Sequence, residues 1–295
     1  MRLIHLTDPH LSSLDGQRFL KLRGKRRSGY LSWYRNRRHI HNPDVLEKLT
    51  QAIRAEEADQ VLLTGDLVHI GLDSEMAEAA GWLHELGPPG TVMLIPGNHD
   101  NYARGSQQSM RHHWAEYLPQ ASSSETEYTA GYPVSQNFEH LQIIGLNSAC
   151  TTRIFSAAGS LGPEQRARLG QALKTGRAEG KFQLVLIHHP PFPGMTRRRK
   201  SLQDDRELEE LMIEHPPQLV LYGHLHRDRE HIHGQTHIYC TASASSSLGA
   251  SYRVFDIDRT EPGWNCQMRL MTLPANSARS ADLVITARAS WSISA

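Results

Sequence analysis

Length, composition and charge set the first limits on what this chain is. It has 295 residues, of which 39% are hydrophobic and 21% charged, and its formal net charge is +1. This length allows one large domain or two small ones, and the near-neutral charge argues against a broad surface for a polyanion or a charged membrane. No apolar run approaches the roughly 18 residues that a transmembrane helix needs. The first residues lack a signal-peptide pattern, so we expect a cytoplasmic protein.

Strand-like and helix-like segments alternate along the chain, which predicts an α/β fold. The first clear helix is predicted from residue 43, because Asn42 suits the N-cap and Pro43 the first helical position. Further helices are predicted at 76–83, 163–178 and 204–214. Apolar strand-like runs occur at 3–7, 61–64, 92–95, 142–146, 184–187, 219–222, 236–240 and 252–257. These are more strands than one simple parallel sheet needs, so we expect two packed sheets with helices outside them.

Three segments interrupt this pattern. Residues 17–41 carry nine lysines and arginines between Arg18 and Arg38, with no acidic residue among them, and aromatic residues are interleaved. Residues 119–130 are rich in serine and glutamate and are expected to form an exposed loop. After residue 274 the chain is rich in alanine, serine and arginine, which predicts a weakly structured tail over 275–295, although 283–285 could add an edge strand. We therefore expect one domain over residues 1–274, with 17–41 as an insertion.

Five short polar motifs each follow a strand-like run directly. Reactive side chains collect in the crevice at the carboxyl ends of strands in an open α/β sheet, so five strand ends describe one site. These side chains offer oxygen and imidazole ligands and no cysteine, which suits hard or borderline divalent metal ions. The motifs are Asp8-Pro9-His10, Gly65-Asp66, Gly97-Asn98-His99-Asp100, His188-His189-Pro190 and Gly223-His224-Leu225-His226.

The order of these motifs resembles the calcineurin-like metallophosphoesterase superfamily, and the resemblance covers residues 1–258. It implies a four-layer α/β/β/α sandwich with a dinuclear metal site at the carboxyl ends of the strands. It also implies that Asp66 bridges two divalent ions, which would be Mn, Fe or Zn. The implied ligands of the first ion are Asp8, His10, Asp66 and His226, and those of the second are Asp66, Asn98, His188 and His224.

Other residues of the motifs are candidates for catalysis. His99 does not match a ligand position, and beside Asn98 it would reach the substrate phosphate and protonate the leaving oxygen. Asp100 could orient His99 or cap a following helix, and both roles stay open. His188 directly ends its strand-like run and is preferred to His189 as the ligand, which leaves His189 to line the pocket or pack beneath it. The nucleophile would be a metal-bridging hydroxide, because bound metal brings the pKa of water near neutrality.

The basic segment 17–41 has two interpretations. It is a solvated loop that could pack its aromatic residues on the domain, or it is a cap over the site, because it follows the first motif closely. As a cap, its cations would hold extra phosphates and its aromatic rings would stack on a base or touch acyl chains. The run 197–200 is also basic, and it would line the same pocket or form a mobile surface loop. Histidines outside the motifs, His41 among them, are expected on the surface or in local packing. The candidate substrate contacts are His189, Arg23, Arg26, Arg27 and Trp33.

The forms of the motifs look most like the bacterial phosphodiesterase branch of the superfamily, similar to class III cyclic nucleotide phosphodiesterases. The expected function is hydrolysis of a phosphodiester in a small nucleotide-like substrate, a cyclic nucleotide first. The main alternative is a pyrophosphatase similar to the UDP-2,3-diacylglucosamine hydrolases of lipid A synthesis, which would contact the membrane surface through basic and aromatic residues. A nuclease and a non-catalytic scaffold are weaker alternatives, and monoester hydrolysis stays open. Nothing in the chain demands an oligomer.

Overall fold

The computed structural model describes residues 1–120, 129, 131–261, 263–275 and 282–294. Within these ranges the chain forms twelve β-strands and six α-helices. The strands are β1 (Arg2–Leu6), β2 (Gln60–Leu63), β3 (Val92–Leu94), β4 (Val134–Asn137), β5 (Leu141–Gly145), β6 (Phe182–Leu186), β7 (Leu219–Tyr222), β8 (Arg229–His233), β9 (Thr236–Cys240), β10 (Ala250–Arg259), β11 (Gly263–Leu273) and β12 (Val284–Ser294). The helices are α1 (Lys25–Arg35), α2 (Pro43–Ala55), α3 (Asp73–Leu86), α4 (Ser106–His113), α5 (Gly162–Ala178) and α6 (Asp205–Glu214). Short 3-10 helices lie at Phe19–Lys21, Arg37–His39 and Arg198–Lys200.

Two six-stranded sheets form the centre of the fold. The strand order is β12-β11-β10-β1-β2-β3 in the first sheet and β4-β5-β6-β7-β9-β8 in the second. β1, β2 and β3 run parallel, as do β5, β6, β7 and β9. The carboxyl ends of these parallel strands therefore lie together at one end of each sheet, where the polar motifs begin.

Side-chain alternation along the strands divides the apolar residues between separate cores. Leu3 of β1 and Leu184 of β6 belong to the core between the sheets. Their neighbours Ile4 and Val185 point the other way, into the cores under the helices. α2 and α3 cover the first sheet, and α5 and α6 cover the second. The predicted four-layer α/β/β/α sandwich is confirmed.

The start of α2 follows the capping chemistry predicted from the sequence. The side chain of Asn42 accepts a hydrogen bond from the backbone N–H of Asp44 (2.9 Å), and Pro43 occupies the first turn. The apolar residues of α2 then fall on its inner face. This face lies in the core above the first sheet and includes Val45, Leu46, Leu49 and Ile53.

The basic insertion 17–41 is folded onto the domain. Its central element is α1, whose Trp33 is only 2% exposed and packs in a cluster with Leu14, Leu22, Ile70 and Tyr102. An added Cβ at Gly29 would collide with the Tyr102 hydroxyl, so the helix approaches the domain closely there. The packing of an aromatic residue on the domain, which the loop interpretation allowed for, is therefore present at Trp33, but the segment around it is helical.

The C-terminal segment is more ordered than its composition predicts. β12 pairs antiparallel with β11 along most of its length. Ala287, Ala289, Trp291 and Ile293 alternate along it and pack against the core between the sheets. The expected weakly structured tail is wrong for residues 284–294, because every second side chain of this strand faces the core and the last two of them, Trp291 and Ile293, are large and apolar. The edge strand allowed for at 283–285 is present and longer.

Two other expectations concern loops and membrane spans. Most of the expected exposed loop at 119–130 lies outside the described residues, since 121–128 and 130 are not described. None of the helices in the described part of the chain is long and apolar enough to cross a membrane.

Candidate metal centre

The loops that follow the parallel strands carry the candidate ligands. Asp8 and His10 follow β1, Asp66 follows β2, Asn98 follows β3, His188 follows β6, and His224 and His226 follow β7. Of the seven non-glycine residues with positive φ in the described chain, five belong to this set: Asp8, His10, Asp66, His224 and His226. Such a backbone conformation costs about 1–3 kcal/mol per residue and persists where the surrounding structure imposes it. The surrounding structure therefore holds these loops in an unfavourable backbone conformation that directs the five side chains towards the centre.

Four side chains surround the first metal position. His226 Nε2 lies 3.1 Å from Asp8 Oδ1 and 3.4 Å from His10 Nε2. His10 Nε2 is also 4.0 Å from Asp66 Oδ2. An ion about 2.0–2.2 Å from its N and O ligands keeps neighbouring ligand atoms about 3 Å apart and opposite ones about 4 Å apart. The four side chains therefore fit one ion.

The second metal position lies on the other side of Asp66. His188 Nε2 is 3.3 Å from Asp66 Oδ2 and 3.2 Å from Asn98 Oδ1. The ring centroid of His224 lies 5.2 Å from that of His188. One oxygen of Asp66 thus borders both positions, as a bridging carboxylate requires.

Hydrogen bonds fix the ring nitrogens that the ligands present. His10 Nδ1 lies 2.9 Å from the carbonyl of Val68, and His188 Nδ1 lies 2.6 Å from the carbonyl of Thr64, so Nε2 of each ring faces the centre. His224 Nε2 is buried without a hydrogen-bond partner among the described residues. A buried polar atom without a partner is unfavourable, and an ion here would supply the missing interaction.

The electric field at the centre also favours a cation. Burial lowers the pKa of His188, but the carboxylates of Asp66 and Asp8 outweigh burial and raise it to about 9. Buried carboxylates that stabilise a proton on imidazole would stabilise a divalent ion in its place. The residues present therefore fit a pair of divalent ions.

Asp100 stabilises the backbone rather than orienting His99 or capping a helix. Its two carboxylate oxygens accept the backbone N–H groups of Asp66, Leu67, Val68 and Gly97 at 2.8–3.3 Å. These donors belong to the loops after β2 and β3, so Asp100 joins the loops that carry Asp66 and Asn98. Both roles considered for Asp100 from the sequence are wrong.

His99 lies at the centre, and its ring nitrogens contact the carbonyl of His69 and the side chain of Arg37. Its Nδ1 lies 2.5 Å from the carbonyl of His69, and Arg37 Nη1 lies 3.2 Å from its Nε2. Burial and the Arg37 charge lower the pKa of His99 well below its ordinary value. The ring is therefore neutral, with its proton on Nδ1 and a lone pair on Nε2. This state differs from the protonated imidazole that donation to a leaving oxygen requires.

A cavity of about 370 Å³ lies directly over the two metal positions. One wall comes from the basic insertion and contributes Lys25 and Arg37, and the other comes from the second basic run and contributes Arg199 and Lys200. The aromatic ring of Phe155, which is 83% exposed, stands at the rim. Both basic segments therefore contribute side chains to the walls of this cavity.

The residues chosen as contacts within the insertion are different from those that line the cavity. Arg26 donates to the carbonyls of Ile70 and Gly71, and Arg27 donates to the carbonyl of Leu22. Trp33 is buried, and Arg23 is exposed and does not line the cavity. None of these four side chains lines the cavity over the metal positions. The expectation that they contact the substrate therefore does not match the structure. Lys25, Ser28 and Ser32 line it instead, at a helical spacing that would have identified this face had a helix been predicted here.

Two histidines lie at the centre in positions that the motif pattern does not assign. His189 is buried against His188 and His224 and does not line the cavity, so it packs beneath the site rather than contacting substrate. His41, expected on the surface or in local packing, lies 4.5 Å from His10 between ring centroids. No sequence pattern pointed to His41, because this residue ends the insertion and follows no strand.

A family comparison agrees with this geometry. A family model described as calcineurin-like phosphoesterase matches residues 1–228. The chain belongs to the calcineurin-like phosphoesterase family. As a member of this family, it is a metal-dependent phosphoester hydrolase.

Curated relatives of this phosphoesterase are named probable cyclic nucleotide phosphodiesterases. One from a Synechococcus strain is 28% identical over 226 residues, which are 73% of this chain and 78% of the relative. One from a second Synechococcus strain is 25% identical and covers 77% of this chain and 74% of the relative. A third, from Vesicomyosocius okutanii, is 24% identical and covers 63% of this chain and 70% of the relative.

Solved structures share the fold of this phosphoesterase. A dimetal phosphatase from Danio rerio aligns with a TM-score of 0.58 at 13% identity, covering 92% of this chain and 95% of its own. A purple acid phosphatase from yellow lupin seeds aligns with a TM-score of 0.59 at 13% identity over all of this chain and 53% of its own. At this level of identity the likeness concerns the fold.

Proposed function

We propose that this chain is a dinuclear metal phosphodiesterase. The observation that carries the proposal is the position of Asp66 Oδ2 between two groups of ligands, directly beneath a cavity that admits a small nucleotide-like molecule. A pair of divalent ions held there would stabilise the charge on the phosphoryl oxygens and provide an activated water. The proposed ligands are Asp8, His10, Asp66 and His226 for one ion and Asp66, Asn98, His188 and His224 for the other.

In this proposal His99 and Arg37 act on the leaving oxygen of the phosphodiester. The His69 carbonyl holds the ring of His99 through Nδ1, and the guanidinium of Arg37 packs against this ring, with Nη1 3.1 Å from Nδ1 and 3.2 Å from Nε2. The fixed guanidinium stabilises negative charge as it develops on the leaving oxygen. His99 therefore positions a charged donor and does not itself supply the proton.

A cyclic nucleotide is the leading substrate. The relatives named probable cyclic nucleotide phosphodiesterases support it, and so does the presence of aromatic faces in the cavity. Tyr102 stacks on His99 with ring centroids 5.3 Å apart, and Phe155 stands at the rim. The exposed ring of Phe155 would offer a face for a base to stack on.

A nucleoside diphosphate joined to a lipid is a second candidate, favoured by the charge of the cavity walls. A cyclic phosphodiester carries one negative charge, and the two proposed divalent ions would already balance it. The four cations Lys25, Arg37, Arg199 and Lys200 suit a second phosphate. Exposed apolar side chains at Ile154 (47%) and Phe155 (83%) suit an acyl chain at the same rim or a peripheral membrane contact.

Phosphorus NMR of the metal-loaded protein separates the two substrates. Cyclic AMP and UDP-2,3-diacylglucosamine are supplied together, and the double variant Arg199→Ala/Lys200→Ala is compared with Arg198→Ala, whose side chain does not line this cavity. Formation of AMP supports the cyclic nucleotide, and formation of UMP supports the second candidate. If the double variant matches Arg198→Ala on the substrate that is cleaved, the cations do not bind it. If neither substrate nor a simple diester is cleaved, the proposal of a phosphodiesterase fails.

A further inference from the structure

Two histidines outside the proposed ligand sets are held against the centre in the same way. His41 Nδ1 lies 2.7 Å from the hydroxyl of Ser245, and His189 Nδ1 lies 2.7 Å from the hydroxyl of Ser148. A partner on Nδ1 fixes the rotation of an imidazole ring and leaves Nε2 to bind elsewhere, as it does for metal-binding histidines in general. Both rings therefore have the geometry of ligands.

Each of these rings accompanies one metal position. The ligand atoms of His41, His10 and His226 lie within 4.8 Å of one another. The same limit holds for the ligand atoms of His189, His188 and His224. An ion about 2.0–2.2 Å from each ligand keeps opposite ligands about 4 to 4.4 Å apart, so small movements of these rings would bring each set around one ion.

The backbone around His41 holds the ring rigidly. The N–H of Asn42 donates to the carbonyl of Ser245 (2.8 Å), and the N–H of Ser247 donates to the carbonyl of Ile40 (2.8 Å). The same loop is joined to the first motif, because the Ser243 hydroxyl donates to the carbonyl of Asp8 (2.6 Å). The end of the insertion and the first metal position are therefore parts of one connected structure.

The Nε2 atom of His189 is buried and makes no hydrogen bond with the described residues. The backbone of Ala157 lies near the ring. An added Cβ at Gly159 would collide with the ring, so the imidazole has little room to turn away. A ligand at Nε2 would satisfy this atom.

We infer that His41 and His189 are additional ligands, one for each ion of the proposed dinuclear centre. This inference rests on the proposed function, because it requires the two ions. It adds one imidazole to each position, His41 beside His10 and His226, and His189 beside His188 and His224. Imidazole suits Zn and Fe, whereas carboxylate and carbonyl oxygen suit Mg, Ca and Mn. The extra rings therefore make the centre select Zn²⁺ or Fe²⁺ over Mn²⁺.

Metal titration of the full chain tests the inference without an activity assay. The protein is stripped with a chelator and titrated with Zn²⁺ and separately with Mn²⁺, and the bound ions are counted by mass spectrometry of the metals. His41→Ala and His189→Ala should each lower the Zn²⁺ affinity of one ion by more than about 100-fold and lower Mn²⁺ affinity less, whereas the loss of an outer-shell partner of a ligand costs about 10- to 100-fold. His39→Ala, an exposed histidine two residues before His41 at the end of the 3-10 helix Arg37–His39, is the matched control and should bind as the wild type does.

The outcomes separate this inference from the proposed function. If the wild type binds two ions and both variants match His39→Ala, the inference is overturned and the dinuclear centre stands. If the wild type binds no pair of ions, both fail. His189→Ala is a buried substitution, so Ser148→Ala is made beside it, because it releases the ring and keeps its volume. Weaker Zn²⁺ binding in a folded Ser148→Ala protein supports the role of His189, and unchanged binding argues against it.

Discussion

Arg37 Nη1 lies 3.1 Å from His99 Nδ1 and 3.2 Å from His99 Nε2. The contact joins the basic insertion to the loop after β3, so the two segments meet over the proposed metal positions. We expect His99→Ala to keep its metal and to lose about 10²–10⁴-fold in kcat, because the charged donor is no longer held in place. Arg37→Ala should reproduce most of this loss. Equal kcat for His99→Ala and the wild type would remove both residues from the mechanism.

Asp66→Ala should lose activity and both ions, since one carboxylate oxygen borders the two positions. The measurement is metal content together with hydrolysis of a simple phosphodiester. Asp258→Ala is the control, because that carboxylate is exposed on β10. A folded Asp66→Ala protein that keeps two ions and normal turnover contradicts the assignment.

Asp100→Ala should lower the free energy of unfolding even when no metal is present. Four buried backbone N–H groups lose their acceptor, and we expect a loss of about 3–5 kcal/mol. Urea unfolding in the presence of a chelator measures this loss separately from metal binding. Asp100→Asn keeps an oxygen acceptor and should fall between the wild type and Asp100→Ala, whereas unchanged midpoints for both variants would show that the carboxylate is dispensable.

Lys25 should give substrate binding a dependence on pH. Burial lowers the pKa of Lys25 to about 8, so the side chain is charged below this pH and neutral above it. Its attraction for an anionic substrate is present at pH 7 and is lost as the pH rises through 8, so KM should rise roughly tenfold by pH 9.5. Lys25→Arg keeps its charge and should remove this rise, while the exposed control Lys21→Arg should follow the wild type. Parallel KM profiles for all three proteins would exclude Lys25 as a substrate contact.

Trp291→Ala should destabilise the domain although it lies in the last strand. The indole stacks on the ring of His237 with centroids 4.2 Å apart and packs against the core between the sheets. We expect a loss of about 2 kcal/mol in the free energy of unfolding, measured against Ser290→Ala, which is exposed beside it on β12. Overlapping unfolding curves would mean that β12 contributes little to stability.

The motifs predicted the position of the centre because each ligand follows a buried strand. Asp66 and His188 could be placed from sequence, since parallel strands bring their carboxyl ends together whatever the loops do. Asp100 could not, because its four partners are backbone groups of two loops whose shape the sequence does not reveal. A carboxylate beside a histidine looks the same in the sequence whether it orients the ring or accepts backbone hydrogen bonds.

The insertion shows a second limit of sequence patterns. Nine basic residues in one segment suggest contact with phosphate, but only the helix geometry separates Lys25, which faces the cavity, from Arg26, which binds Ile70. β12 was missed for a related reason, because alanine and serine at alternate positions carry little apolar signal. In both cases the structure of the segment depends on residues that are distant in sequence and adjacent in the fold.

The left-handed backbone at five candidate ligand residues links ion binding to the order of the loops. At about 1–3 kcal/mol for each residue, the metal-free protein would hold several kcal/mol of backbone strain that ions at the two positions would offset. Removal of the ions should then release these loops first, while the sheets stay intact. Amide hydrogen exchange around Asp8, Asp66 and His224 should therefore become faster when a chelator removes the ions. Ion binding would then stabilise the folded conformation of the loops that carry the ligands.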